Sequence, residues 1–228
     1  MAGPRGITVA IDGVVGSGKS ATARAVAAAL GYRHIDTGAM YRAVTLAAVD
    51  ASIRADNGPG LEGLLEKMRI ELVPAAEGAG GGVLLNGVDV TDEIRSPQVS
   101  RAVGAYADVT AVRRTLVALQ QAMGAEGGVV ADGRDVGAVI FPDADLKIHM
   151  TADLEERTRR RHTELRSKGV EIAETQVRED IVARDRQDQE RDYGAEVDRR
   201  EVVILDTTDL TLDAQIERVI ALARERGG

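Results

Sequence analysis

ITVAIDGVVGSGKSATARAVAAALG, residues 7–31, decides the fold. ITVAID (7–12) is apolar, β-branched and bounded by glycine, the pattern of a short buried strand. SATARAVAAALG (20–31) is alanine-rich and stops on a glycine, which predicts a helix. Between them GVVGSGKS (13–20) has the spacing GxxxxGK[ST]. Successive backbone N–H groups of Gly13, Val14, Val15, Gly16, Ser17, Gly18, Lys19 and Ser20 can wrap an anion, since glycine lets the backbone approach with no Cβ in the way. The helix that follows adds partial positive charge at its N-terminus. Lys19 is expected to reach the β- and γ-phosphates of a triphosphate, and the Ser20 hydroxyl to complete a Mg²⁺ shell. Val14 and Val15 are β-branched at positions that point outward, so they modify the loop without refuting it.

Such a loop holds a donor but names no acceptor. The chain has 228 residues, enough to bury a full core. A net charge of -8 argues against a nucleic-acid polymer or an anionic membrane as partner. Arginine is nonetheless clustered, as RTRRR at 157–161 and RDRQDQER at 184–191, which suits a small anionic ligand; solvated helix faces are the plainer alternative. No stretch approaches the ~20 apolar residues of a membrane span. MAGPRG leads straight into a strand without an apolar leader, and the absence of cysteine excludes disulfides and thiolate metal sites. A cytoplasmic location is the expectation. No Asn-Lys-x-Asp string is present to read guanine, and the length suits a small-molecule kinase better than a motor ATPase.

Further along, YRHID (32–36) reads as a second strand, followed by a helix from about Gly38 to Val49. RIELVP, VLLNG and VDV look like strands joined by loose turns, with Asn86-Gly87 as a hairpin signal. TAVRRTLVALQQAM (110–123) is helical, and GGVVADG (127–133) and LKIHMT (146–151) are apolar strands. Residues 153–167 and 174–191 read as two charged helices, before a last strand VVILDT (202–207) and an amphipathic helix. Strands alternating with helices predict an α/β fold with a parallel sheet covered on both faces, interrupted by a β-rich insert at 70–90.

Two strings speak to the acceptor. In IDTGAMYR (35–42), Thr37 offers a hydroxyl, Gly38 allows a turn, and Arg42 falls about one turn into the helix, so Thr37 and Arg42 can converge on one anionic group. This T-G-x-x-x-R pattern resembles the monophosphate site of nucleoside monophosphate (NMP) kinases; a helix cap plus a surface arginine is the alternative. In VVADGRDVGAVIFPDADLKIHMTA (129–152), Asp132, Arg134 and Asp135 follow a buried strand, at the end where α/β proteins bind ligands. Arg184, Asp188 and Arg191 fall at i, i+4 and i+7, one helical face, and Arg157 and Arg161 lie one turn apart.

ADGRDVG followed by VIFPDADLKI closely resembles the bacterial cytidylate kinases. The resemblance runs nearly end to end, through LNGVDVTDEIRSPQV, the Val-Arg of 112–113, RDxxDxxR at 184–191 and VVILDTTDLTLDAQIERVI. It implies a P-loop core with a five-stranded parallel sheet flanked by helices, an inserted NMP-binding lobe with a small antiparallel β-sheet, and a helical lid. The implied boundaries are 1–36, 106–152 and 200–228 for the core, 37–105 for the lobe and 153–199 for the lid. The implied reaction moves the γ-phosphate of ATP, with Mg²⁺, onto CMP or dCMP. Carried over by position, Thr37 takes the place of a small hydroxyl residue in the acceptor pocket, Arg42 and Arg134 match arginines on the CMP phosphate, and Arg113 and Asp135 match residues that read cytosine. Asp188 corresponds to a ribose ligand, and Arg184 and Arg191 to arginines on the phosphates. Arg157 and Arg161 match lid-helix arginines that approach ATP. Asp132 has two readings, orienting a Mg²⁺-bound water or fixing the DGRD turn.

Three positions depart from the family pattern. Gly104 stands where a serine usually contacts cytosine, Ala21 where threonine is common beside the α-phosphate, and 191–201 lacks the Pro-Leu beyond the lid. Rival readings are another NMP kinase, of adenylate or uridylate type, and a regulatory P-loop domain with little activity. DGRD and the 70–90 insert weigh against the first, and the intact transfer arginines against the second. A monomer working on small nucleotides is the expectation.

Overall fold

The computed structural model describes residues 6–73, 81–167, 169–190 and 201–228. In chain order its elements are β1 (Thr8–Gly13), α1 (Lys19–Leu30), β2 (Arg33–Asp36), α2 (Thr37–Asp50), α3 (Gly58–Lys67), β3 (Ile70–Val73), β4 (Gly82–Leu85) and β5 (Val88–Asp89). There follow α4 (Pro97–Ala107), α5 (Thr110–Gly124), β6 (Val129–Gly133), β7 (Leu146–Thr151), α6 (Leu154–Ser167), α7 (Glu174–Glu190), β8 (Val202–Asp206) and α8 (Leu212–Glu225). Two compact units result, Met1–His34 with Gly127–Gly228, and Ile35–Glu126.

Five strands form the parallel sheet, in the order β2-β6-β1-β7-β8, as the strand–helix alternation predicts. β1 is central because both of its edges are used: Val9 lies opposite Val130 on β6 and opposite Leu146 on β7. Val9, Ala10 and Ile11 are consequently fully buried. Alternate residues of the strands, among them Val9, Ile11, Ile148 and Met150, pack with Ala23, Val26 and Ala27 of α1 and Val219 and Ala223 of α8. Alanine on α1 lets that helix lie close, and each buried valine or isoleucine contributes about 1.5–3 kcal/mol. Gly31 closes α1 in a left-handed conformation, its amide bonded to Ala28 O. Among the described residues no helix is long and apolar enough to cross a membrane.

In the second unit, β3, β4 and β5 form the small antiparallel sheet expected of the 70–90 insert. Asn86 and Gly87 both take positive φ, 52° and 81°, the backbone a tight hairpin needs. α2 begins one residue earlier than its sequence suggests, because the Asp36 carboxylate accepts from Ala39 N (2.8 Å) and caps it. α4 was not anticipated. Ser96 caps it by accepting from Val99 N, Pro97 occupies its first turn, and Val99, Val103 and Tyr106 form its buried face. Tyr106 then donates to Ile53 O at 2.7 Å, beside Ala48 and Leu61.

Where β1 ends, two constraints set the position of the phosphate loop. A Cβ on Gly13 would lie 2.3 Å from the Met150 carbonyl oxygen, so only glycine allows β1 to run against β7 at this point. One residue earlier, Asp12 accepts from Val136 N (2.8 Å) and Gly137 N (2.9 Å), tying β1 to the single π-helical turn Val136–Ile140. Burial pushes the Asp12 carboxyl up to about 6, against the opposing effect of those two amides; Asp135 adds to the rise and Lys19 resists it.

Gly13→Ala should therefore destabilise the chain by about 1–3 kcal/mol in urea melts, as over-packing against backbone does; a melt matching the wild type would mean that the strands can separate there freely. A pH dependence follows from Asp12. An acid whose pKa rises on folding stabilises the folded chain while protonated, fully so below about 4 in the unfolded chain. That contribution is lost as pH rises through about 6. In urea melts between pH 4 and 7, wild type should lose up to ~3 kcal/mol relative to Asp12→Asn. Parallel curves would show that Asp12 keeps an ordinary carboxyl.

Candidate active site

The phosphate loop is held by its carbonyls. Gly13 O accepts from Arg134 Nη1 (2.7 Å) and Val15 O from Arg157 Nη1 (3.3 Å). Val14 O takes Ser17 Oγ (3.0 Å) and Lys19 Nζ (3.5 Å), and Ser17 O takes Thr207 Oγ1 (2.9 Å) and Arg160 Nη1 (3.5 Å). Two amides are used internally, Val14 N to Met150 O and Ser17 N to Val14 O. Gly16 (φ 80°) and Gly18 (φ 90°) lie in the left-handed region, where glycine is favoured, and their amides are left for an anion. No side chain caps α1 at Gly18 and its first turn holds no acidic residue, so the partial positive charge of the helix end is not cancelled locally.

Beside the loop, Asp132 at the end of β6 is 2% exposed. Its Oδ2 accepts from Ser20 Oγ at 2.5 Å and its Oδ1 lies 2.8 Å from His34 Nε2. Burial would raise its pKa, but the His34 hydrogen bond and charge, Lys19 and the Ser20 hydroxyl outweigh it and hold the carboxyl below its usual range. With the serine proton committed to Asp132, the Ser20 oxygen keeps its lone pairs for a cation. A hydroxyl with an adjacent carboxylate is a hard oxygen donor set that fits Mg²⁺. Among the described residues no group of three or more histidines and acids could hold a metal ion.

The helix pair α6–α7 meets this site through ion pairs. Arg157, 8% exposed, bridges Val15 O and Asp185 Oδ2 (2.7 Å). Arg134 bridges Gly13 O and Asp188 Oδ2 (2.7 Å), while Arg184 Nε lies 3.4 Å from Asp188 Oδ1. Arg161, paired with Arg157 by helical spacing, instead bonds to Glu164 at 2.7 Å on the outer side. Arg160 faces inward, donating to Thr207 O (2.6 Å), Thr207 Oγ1 (3.1 Å) and Leu210 O (3.3 Å). Glu156 holds both Arg159 and Arg160, and these bonds lower its carboxyl to about 2. Arg191 lies outside the described residues.

Four expected acceptor residues belong to the second unit. Thr37, 4% exposed, stands at the first position of α2, and because Asp36 supplies the cap its hydroxyl is not needed for capping. Arg42 Nη1 donates to Ser100 Oγ (2.8 Å) and Ile94 O (3.3 Å). Gly104 lies in α4, one turn beyond Ser100, and Arg113 lies in the first turn of α5. Asp135, 6% exposed, precedes the π-helical turn in the first unit. Ala21 sits in the first turn of α1. Sequence reading passed over Asp12, His34, Arg160, Asp185 and Thr207. An acid at the end of an otherwise apolar strand, as Asp12 is in ITVAID, was the signal available for one of them.

A family model described as cytidylate kinase matches residues 9–225. The chain is 43% identical over 225 residues to a cytidylate kinase of Geobacter sulfurreducens, covering 99% of this chain and 96% of that one. It is 45% identical over 231 residues to a cytidylate kinase of Pelodictyon phaeoclathratiforme, with 98% and 97% covered. A solved structure of an uncharacterized protein from Eubacterium ventriosum matches 96% of this chain and 98% of its own with a TM-score of 0.50 at 13% identity, a likeness of fold alone. A match of this identity, running from the first strand to the last helix, means that the chain belongs to the cytidylate kinase family.

Proposed function

We propose that the chain transfers the γ-phosphate of ATP to CMP, and to dCMP, giving CDP or dCDP and ADP. The observation that carries the chemistry is the gathering of Arg134 from the DGRD turn and of Arg157 and Arg160 from α6 on the loop that holds Lys19, across 121 to 143 positions of the chain. For the acceptor, the support is the level of identity to chains named cytidylate kinase along almost the whole length.

Phosphoryl transfer asks for alignment and charge neutralisation more than for a base. The phosphate of CMP is already an anionic nucleophile near pH 7, so no histidine need deprotonate it. Lys19 draws the β- and γ-phosphates against the loop, whose glycine amides take the bridging oxygens. Ser20 and Asp132 would hold Mg²⁺, which when bound neutralises charge on the triphosphate. Arg134 turns from Asp188 toward the acceptor phosphate, aided by Arg42, while Arg184 and Arg191 approach the migrating group. Arg157 and Arg161 serve the ATP side. Thr37 lines the acceptor pocket and Asp188 is left to the ribose hydroxyls. A carboxylate at Asp135 accepts from the 4-amino group of cytosine and Arg113 donates to N3 and O2. Uracil places an acceptor where cytosine has its amino group, so Asp135 repels it. Gly104 offers no hydroxyl to the base, leaving recognition to the other two.

On this reading 37–105 acts as the acceptor lobe, 153–199 as a lid and the remainder as the core, in a cytoplasmic monomer. Closure of the lid excludes water and so limits idle ATP hydrolysis.

A coupled ADP-release assay with CMP, dCMP, UMP and AMP as separate acceptors tests the proposal. CMP and dCMP should turn over best; turnover with AMP and none with CMP would overturn the assignment. Asp135→Ala should lower kcat/KM for CMP by roughly 10- to 100-fold, the worth of a charged hydrogen bond, and leave slow ATP hydrolysis without acceptor nearly unchanged. Equal losses in both would assign Asp135 to the fold or the metal instead.

A further inference from the structure

A histidine stands behind the Ser20–Asp132 pair with no part in the chemistry above. His34 Nε2 is 2.8 Å from Asp132 Oδ1, and the two side chains are 17% and 3% exposed. The other carboxylate oxygen is the one that takes the Ser20 proton. His34 lies on β2, beside β6 in the sheet, and the neighbouring Arg33 amide bonds to Gly128 O at 2.9 Å. Its backbone is therefore fixed relative to the strand that carries Asp132.

We propose that His34 is a positioning residue for the metal–triphosphate site: by holding Asp132 Oδ1 it sets the plane of the carboxylate, so that Oδ2 meets Ser20 and the serine lone pairs stay turned toward the cation. It touches neither substrate nor metal. The inference rests on the reading that Ser20 and Asp132 serve Mg²⁺. Asp132 is an ionised group almost out of reach of water, and its partners decide where it points. Without His34, the ammonium of Lys19 still acts on it. The carboxylate then turns toward that ammonium, which releases Ser20 and lets the serine lone pairs turn away from the cation. Removing the partner that orients a metal ligand typically costs about 10- to 100-fold in metal affinity or activity.

Calorimetric titration of the full chain with ADP, with Mg²⁺ and separately in EDTA, tests this on wild type, His34→Leu, His34→Asn, His34→Gln and Ser20→Ala. Wild type should bind ADP more tightly when Mg²⁺ is present, and Ser20→Ala should lose that gain. His34→Leu and His34→Asn should lose roughly tenfold of the Mg²⁺-dependent affinity, with binding in EDTA little changed. His34→Gln, whose amide nitrogen reaches the place of Nε2, should restore it; the amide of asparagine falls at the place of Nδ1 and should not. In turnover, the Mg²⁺ needed for half-maximal rate should rise for the leucine and asparagine variants while KM for CMP holds. If His34→Leu does not fold, the asparagine and glutamine pair carries the comparison. Wild-type Mg²⁺ dependence in His34→Asn, or equal losses with and without Mg²⁺, would overturn the role of His34. Absence of any Mg²⁺ gain in wild type would overturn it too, and would trace the failure to the Ser20–Asp132 metal reading.

Discussion

Asp132 is a buried carboxylate that must stay charged, and much of the first unit is arranged to let it. An unpaired ion at that depth costs several kcal/mol, so the residues around it cannot be chosen freely. His34, Lys19 and Ser20 all act on it, from β2 and from the first turn of α1. The register of the sheet delivers it there: Ile11 pairs with Asp132 and Asp12 with Gly133, which sets the DGRD turn level with the start of the phosphate loop. Asp12 locks the same level from the other strand through the amides of Val136 and Gly137. Two carboxylates at adjacent strand ends thus fix two loops, one held low in pKa by His34, Lys19 and Ser20, and one raised by a burial that its two amide hydrogen bonds do not offset.

The cations around the loop are themselves held by carboxylates. Asp185 takes Arg157, Asp188 takes Arg134, and Glu156 takes Arg160. These acids occupy the arginines in ways that a phosphate can replace, since both offer paired oxygens to a guanidinium. Apolar anchoring of α7 is slight by comparison: among the described residues only Val177 and Ile181 of that helix are buried hydrophobics. A helix tied down by ion pairs and two apolar contacts belongs to the low-stability part of a fold, where moving elements are found.

Helices and strands with a strong local signature were legible before the structure. The apolar runs of β1, β6, β7 and β8, the alanine-rich α1 and the Asn86-Gly87 turn all follow from short-range propensity and turn chemistry. α4 was missed although its signals are local, a serine cap followed by proline with Val99, Val103 and Tyr106 on one face. The inward contact of Arg160 on α6 was not legible for a different reason. Helical spacing pairs Arg157 with Arg161, but the rotation of α6 is set by Arg160 reaching the Thr207–Leu210 turn, which periodicity alone does not specify.

What the sequence determined by itself is the chemistry contained in contiguous residues: a glycine-rich loop between strand and helix, the DGRD turn after a buried strand, and the arginine-rich pair of helices. Backbone conformation and helix polarity are decided within a few residues, so such motifs carry their meaning wherever they sit. The tertiary structure alone decided which side chains complete them. Ser20 and Asp132 are 112 positions apart, Gly13 and Arg134 are 121, and Ser17 and Thr207 are 190. Those meetings depend on strand order and register, which arise from burying the faces of five strands together, a property of the whole sheet.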